Sequence, residues 1–194
     1  GGGGTDAPGY RNKFGGYLCS AAIKHRVRIF GARPLFDPRL RIKVHDRVEL
    51  VEKITDLKSA EVRSALALMG IKNHVELNFM GPFTERTGLG SSGAYMVSLV
   101  NLLNSFNGKR LTSVELAEAA AHIEIDVLGY DVGKQDHYIA TYGGFIVLDI
   151  DRDNSVRVER LDLPESVVAN LESHTIIFYT HQKRERASRK ILGE

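Results

Sequence analysis

Apolar residues recur in two rhythms along this chain, and the switches between them mark out its elements. Alternating or short continuous apolar runs predict strands over Tyr17–Ile23, Val27–Arg33, Leu40–His45, Val48–Val51 and Val75–Phe79. Pro34, Asp37 and Pro38 supply turn chemistry between the first two and the next two. Helical spacing takes over at Leu57–Met69, through Leu57, Val62, Ala65, Leu66 and Met69, and Gly70 stops it. A second stripe, Met96, Leu99, Val100 and Leu103 at i, i+3, i+4 and i+7, places a helix in the run Tyr95–Phe106, closed by Asn107 and Gly108. Thr112 and Glu115 form a T-x-x-E capping box for a further helix running to about Leu128. Gly129–His137 reads as a loop, and Phe145–Ile150 with Val156–Leu161 as a hairpin across Asp151–Ser155. A short helix Pro164–Leu171, a strand Thr175–Thr180 and a charged helical tail follow. Gly1–Thr5 reads as loop, since glycines hold regular structure poorly. Strands and helices come in mixed order without steady β-α-β alternation, so the fold class is α+β.

The stretch Thr87-Gly88-Leu89-Gly90-Ser91-Ser92-Gly93-Ala94 leads straight into the second helix. Its free N–H groups and the positive end of the helix dipole favour an anion such as a phosphate, and its small side chains admit close approach. Gly88, Gly90 and Gly93 match G-x-G-x-x-G, but the context differs from a dinucleotide site. That site needs a tight turn directly after a strand and a second strand after the helix. Here a long loop, Met80–Thr87, intervenes, and another helix comes next. No Gly-Lys-Ser/Thr follows, which excludes a Walker A loop. The remaining alternative is a flexible loop with a good helix start.

Composition narrows the class. A chain of 194 residues with 43% hydrophobic content accommodates one domain with a sizeable core, or one domain and part of another. A net charge of +2 gives no reason to expect a nucleic-acid partner. The single cysteine, Cys19, cannot form an internal disulfide, so a reducing, cytoplasmic setting is expected. No apolar run approaches a membrane span, and no signal peptide is visible. A start of four glycines without methionine reads as trimmed, and a fragment is expected.

Glu124 is the most informative single residue. It shares a helical face with Ala117, Ala120, Ala121 and Leu128, and a carboxylate on an apolar face needs a cation or strong hydrogen bonds. It is either a structural salt-bridge partner, a helix-end acid, or a Mg²⁺ ligand beside nucleotide phosphates. The segment Gly129-Tyr130-Asp131-Val132-Gly133-Lys134-Gln135-Asp136-His137-Tyr138 forms a rigid polar turn, although Asp and Gly are ordinary there. Gly2-Gly3-Gly4-Thr5-Asp6 is open to a turn closed by an Asx-type hydrogen bond. Lys183, Arg184, Arg186, Arg189 and Lys190, with Glu185 among them, read as a solvated helix face. His25, His45, His74 and His122 show no metal-ligand spacing.

Gly88-Leu89-Gly90-Ser91-Ser92 resembles the phosphate loop of the GHMP kinases, the superfamily of galactokinase, homoserine kinase and mevalonate kinase. Gly93 stands where that family usually has Ala, Pro82 lies further upstream, and Glu85 and Arg86 add charge. Gly133-Lys134-Gln135-Asp136-x-Tyr138, followed by Tyr142-Gly143-Gly144-Phe145, resembles the sugar-kinase branch that contains the heptose 7-phosphate kinases. So does Gly2-Gly3-Gly4-Thr5-Asp6 with Pro8. Tyr179-Thr180 matches the beginning of a Tyr-Thr-Gly-x-x-Arg stretch of those kinases, with His181 in place of the Gly.

The resemblance implies a two-layer α+β domain like the second domain of ribosomal protein S5. Residues 1–180 would be its ATP-binding domain, short of an Arg-bearing strand at the start, and 181–194 would connect to a C-terminal domain of the same chain. It implies ATP on Gly88, Leu89, Gly90, Ser91, Ser92 and Gly93, and Mg²⁺ held by Glu124 and Ser92, with Ser91 as the second candidate. Asp136 inherits the role of base toward a sugar hydroxyl; Gly4, Thr5, Asp6, Gln135, Tyr142 and Gly143 inherit substrate contacts. The function expected is an ATP-dependent sugar kinase acting on the anomeric hydroxyl of a heptose 7-phosphate, possible homo-oligomer formation included, with no nucleic acid or membrane partner. The alternatives are another GHMP acceptor (galactose, fucose or a mevalonate-type alcohol), a non-catalytic nucleotide-binding homologue, and a nucleic-acid module on the same fold.

Overall fold

The computed structural model of the chain describes residues 4–44, 47–81 and 88–178. In order, these form α1 (Pro8–Phe14), β1 (Gly16–Ala21), β2 (Arg28–Ala32), β3 (Leu40–Val44), β4 (Arg47–Val51) and a 3-10 turn (Ile54–Asp56). Then come α2 (Ala60–Leu68), β5 (Val75–Met80), α3 (Ser91–Phe106) and α4 (Ser113–His122), which continues as a π-helical turn (Ile123–Val127). The order closes with α5 (Gln135–Tyr142), β6 (Phe145–Ile150), β7 (Val156–Leu161) and α6 (Glu165–Ser173).

The strands divide into two sheets, one of order β2-β5-β3-β4 and one of order β1-β6-β7. In the larger sheet β5 lies antiparallel to β2 and parallel to β3, with Leu40 opposite Val75 and Ile42 opposite Leu77. In the smaller sheet all pairs are antiparallel, Gly16 opposite Ile150 and Phe145 opposite Leu161. Buried and exposed residues alternate along β1 and most of β3, so each sheet covers one face and leaves the other open. This is the two-layer α+β arrangement expected.

Two apolar clusters fill the space between layers. The larger joins Leu40, Ile42, Val75 and Leu77 to Val62 and Leu66 of α2 and to Met96, Leu99, Val100 and Leu103 of α3. Each such side chain, fully buried, contributes roughly 1.5–3 kcal/mol. The predicted α3 stripe therefore packs as its spacing indicates. The smaller cluster joins Leu18, Ile146, Leu148 and Ile150 to Ala117 of α4 and Tyr138 of α5. α3, α4 and α5 pack on one another, and α5 also touches β1 and β6. α5 thereby brings the smaller sheet up to the start of α3.

Five readings of the sequence need correction. The helix expected to reach Leu128 is α-helical only to His122; Ile123–Val127 form the π turn, so Glu124 sits on a widened coil. The expected loop Gly129–His137 ends early, because α5 already begins at Gln135. Thr175–Phe178 make no strand, and Tyr179 and Thr180 lie outside the described residues. α1 was not anticipated. Pro8 at its start and Gly15 at its end, with φ of 77°, are ordinary helix signals, but its only buried residue is Arg11, so no apolar stripe reveals it. The helix from Leu57 starts at Ala60 instead, where Ser59 caps it by accepting from the Val62 N–H. The charged tail, His45, Pro82, Glu85, Arg86 and Thr87 also lie outside the described residues.

Candidate functional site

Two helix N-termini meet here. α3 begins after the glycine turn, with Gly90 as its N-cap in the left-handed region at φ 71°, and Gly88 at φ 76°. α5 begins at Gln135. The contact between them is close enough to require glycine. A Cβ placed on Gly93 would lie 2.6 Å from Asp136 Cβ and 2.9 Å from its backbone carbonyl carbon. A Cβ on Gly90 would lie 3.1 Å from Asp136 Oδ1. Asp136 thus faces the glycine turn from the first turn of α5. Burial pushes its carboxyl above the ordinary aspartate range, assisted by the negative charges of Asp6 and Glu124 and opposed by His137.

Glu124 comes to the same place from the π turn. Its side chain is buried, with residue exposure of 2%, and both carboxylate oxygens are engaged. The Ser92 hydroxyl donates to Oε1, and His137 Nε2 lies 2.6 Å from Oε2. Its backbone carbonyl accepts the Tyr130 N–H at 2.8 Å. The buried acid read from the helical pattern is therefore satisfied by a hydroxyl and an imidazole, not by Lys or Arg. Ser92 itself is exposed, so the Ser92–Glu124 pair stands at the boundary between solvent and core. Ser91 shows no bond to Glu124.

Asp6 reaches the site from the N-terminal segment. Its Oδ2 accepts the Gln135 N–H at 2.9 Å, which places a carboxylate on the positive end of α5. Gly133 makes room for it: a Cβ there would fall 1.8 Å from Asp6 Oδ2. Arg11 Nη1 donates to the Asp6 carbonyl at 2.7 Å and Arg11 Nε to Asn154 Oδ1 at 2.6 Å, tying the segment to the β6–β7 turn. The Thr5 hydroxyl donates to the Tyr17 carbonyl at 3.1 Å, and the Gly4 carbonyl accepts the Ala7 N–H.

Lys134 turns away from the glycine loop. Its Nζ donates to both oxygens of Glu118, at 2.8 and 2.7 Å, and to the Asn154 carbonyl at 3.2 Å. Tyr138 also donates to Glu118, and burial raises its phenol above the ordinary range. This lattice anchors α5 to α4.

The structure thus brings Gly90, Ser92, Gly93, Glu124 and Asp136 together, with Asp6 and Gln135 beside them. Gly88 and Leu89 lie exposed on the turn. Tyr142 and Gly143 sit at the other end of α5, about 9 Å further along its axis by helical rise, where the Tyr142 carbonyl accepts from Arg160 Nη2. They are not brought to Asp6 or Asp136.

Sequence reading missed His137, which is 1% exposed. Lys134, His137, Tyr138 and Thr141 recur at i, i+3, i+4 and i+7 on the inner face of α5. That periodicity was available in the sequence, but it is carried by polar residues.

Ser92 Oγ and Glu124 Oε1 are hard oxygen donors of the kind Mg²⁺ takes. Among the described residues no group of three or more His, Cys, Asp and Glu could hold a metal unaided. That donor set suits an ion which draws its remaining ligands from phosphate and water. No helix among the described residues is long and apolar enough to cross a membrane.

Comparison with known proteins finds its relatives among small-molecule kinases. Residues 50–144 match the GHMP kinases N terminal domain. The D-glycero-alpha-D-manno-heptose 7-phosphate kinase of Campylobacter jejuni is 25% identical over a 194-residue alignment, covering 95% of this chain and 57% of its own length. The mevalonate kinase of Methanothermobacter thermautotrophicus is 38% identical over 86 residues, 44% of this chain and 27% of that protein. The crystal structure of a D-glycero-D-manno-heptose 1-phosphate kinase from Bacteroides thetaiotaomicron superposes with a TM-score of 0.80 at 22% identity, covering 89% of this chain and 60% of that one. The chain therefore spans little more than half the length of its heptose-kinase relative.

Proposed function

From the match of residues 50–144 to the GHMP kinases N terminal domain, we propose that this chain is the nucleotide-binding part of an ATP-dependent sugar kinase. The acceptor we assign is the anomeric hydroxyl of a heptose 7-phosphate. Residues 1–180 would form the domain and 181–194 its connection to further chain. The observation that carries this reading is the convergence of Asp136, from α5, on Gly90 and Gly93 at the start of α3, beside the Ser92–Glu124 pair.

In this reading the N–H groups of the glycine turn and the start of α3 bind the triphosphate. Ser92 and Glu124 would hold Mg²⁺, which when bound neutralises phosphate charge. Asp136 orients the acceptor hydroxyl and takes its proton as the oxygen bonds to the γ-phosphorus and the bond to the ADP oxygen breaks. The burial that raises Asp136 makes it a stronger base than an exposed aspartate. Phosphoryl transfer asks for positioning and charge neutralisation more than covalent work, and the close α3–α5 contact supplies the positioning. Asp6 and Gln135 stand where they could bind sugar hydroxyls, whereas Tyr142 and Gly143 would act only through the far end of α5. Gly93, a departure from the family pattern, is accounted for by the room Asp136 needs.

The test is ADP release by the protein carrying this chain, with heptose 7-phosphate, galactose, fucose and mevalonate as acceptors, with and without Mg²⁺. Turnover on heptose 7-phosphate alone supports the assignment, and turnover on another acceptor moves the substrate within the family. ATP binding without turnover on any of them favours a non-catalytic homologue.

A further inference from the structure

His137 does more than fill space beneath the glycine turn. Its ring is buried, with Nε2 2.6 Å from Glu124 Oε2, while Nδ1 is buried with no hydrogen-bond partner. This asymmetry decides where the proton sits. A proton on Nδ1 would leave a buried donor unsatisfied, at a cost of about 1–3 kcal/mol, and would turn a bare Nε2 lone pair toward a carboxylate. A proton on Nε2, donated to Oε2, avoids both penalties. His137 Nε2 then donates to Glu124 Oε2.

The consequence lies in which carboxylate oxygen remains. Oε2 is held by His137 inside the core, whereas Oε1 accepts the hydroxyl of exposed Ser92, itself a candidate ligand that can turn with Oε1 to meet a cation. We propose that His137 is a positioning residue that reserves Glu124 Oε2, holds Glu124 to one-oxygen ligation, and thereby favours Mg²⁺ over Ca²⁺. Mg²⁺ demands compact octahedral geometry and suits a single carboxylate oxygen, whereas Ca²⁺ takes more oxygens and accepts a bidentate carboxylate. Such outer partners commonly tune metal sites by their hold on a direct ligand. The inference rests on the proposed metal site at Ser92 and Glu124.

Two measurements test it. The first is the ¹⁵N spectrum of the His137 ring in the unsubstituted protein, which reports the tautomer directly. A proton on Nε2 is expected, and a bare Nε2 overturns the proposal. The second is calorimetric titration of Mg²⁺ and of Ca²⁺ in the presence of a non-hydrolysable ATP analogue, with His137→Gln and His137→Leu alongside. His137→Leu should shift the Mg²⁺/Ca²⁺ affinity ratio toward Ca²⁺ by about tenfold or more. His137→Gln, whose amide can donate to Oε2, should restore most of the ratio. An unchanged ratio in a folded His137→Leu protein overturns the proposal alone. Failure of the unsubstituted protein to bind Mg²⁺ overturns the functional reading, and this proposal with it.

Discussion

Replacing Gly93 by Ala separates a local rule from the tertiary contact that overrides it. By helix propensity, Gly→Ala inside α3 should stabilise by about 1 kcal/mol. The structure reverses the expectation. The added Cβ would stand 2.6 Å from Asp136 Cβ, 2.9 Å from the Asp136 carbonyl carbon and 3.1 Å from the His137 nitrogen. Carbon pairs settle at about 3.5–4.0 Å, so the starts of α3 and α5 must part by about 1 Å. Two of the three atoms are backbone, so no rotamer change relieves the contact. Overpacking of this kind costs about 1–3 kcal/mol, and after the propensity gain the net is a loss of about 0–2 kcal/mol. Movement of Asp136 by about 1 Å should lower turnover by about 10²-fold. Urea unfolding gives the first quantity and single-turnover kinetics the second. A variant that is stabilised by the full propensity gain and keeps its turnover would refute the close α3–α5 contact.

Other consequences follow from the same geometry. Because burial raises the Asp136 carboxyl in the folded protein, the neutral form is favoured more there than in the unfolded chain. Its contribution to stability is fully present below the unfolded pKa and is lost as pH rises through the higher folded value. Asp136→Asn should therefore raise the melting temperature at neutral pH, as calorimetry would record, and the acid limb of kcat/KM should lie above the ordinary aspartate range. Lys134→Met removes the bonds to Glu118 and Asn154 and should cost about 1.5–3 kcal/mol in urea unfolding. An unaltered midpoint would show that the α4–α5 lattice does not hold the helix. Thr112→Ala, which removes the acceptor of the Glu115 N–H, should cost about 1 kcal/mol by the same measurement.

Apolar periodicity was a reliable guide wherever an element buries an apolar face. The α3 stripe, β5 and the β6–β7 hairpin lie where their patterns place them, and the Thr112–Glu115 capping box forms with both reciprocal bonds. The pattern fails where the buried face is polar. α1 buries only Arg11, and α5 buries His137 and Tyr138 behind a buried N-cap, Lys134, so neither announces itself by hydropathy. Glu124 was legible because a carboxylate contradicts the apolar face around it. Its partner His137 was not, because its neighbour across the fold is set by the π turn and by the closeness of α3 and α5. The glycines at positions 93 and 133 were visible as letters, but their reason is tertiary: each leaves space for an aspartate from a distant element.

The account stands most directly on Asp136 as the base. We would measure single-turnover phosphoryl transfer by the protein carrying this chain, at saturating Mg²⁺, ATP and heptose 7-phosphate, before and after Asp136→Asn. A loss of about 10²–10⁴ in the transfer rate, with nucleotide affinity changed little, is predicted. Transfer at the unsubstituted rate in a folded Asp136→Asn protein would contradict the account.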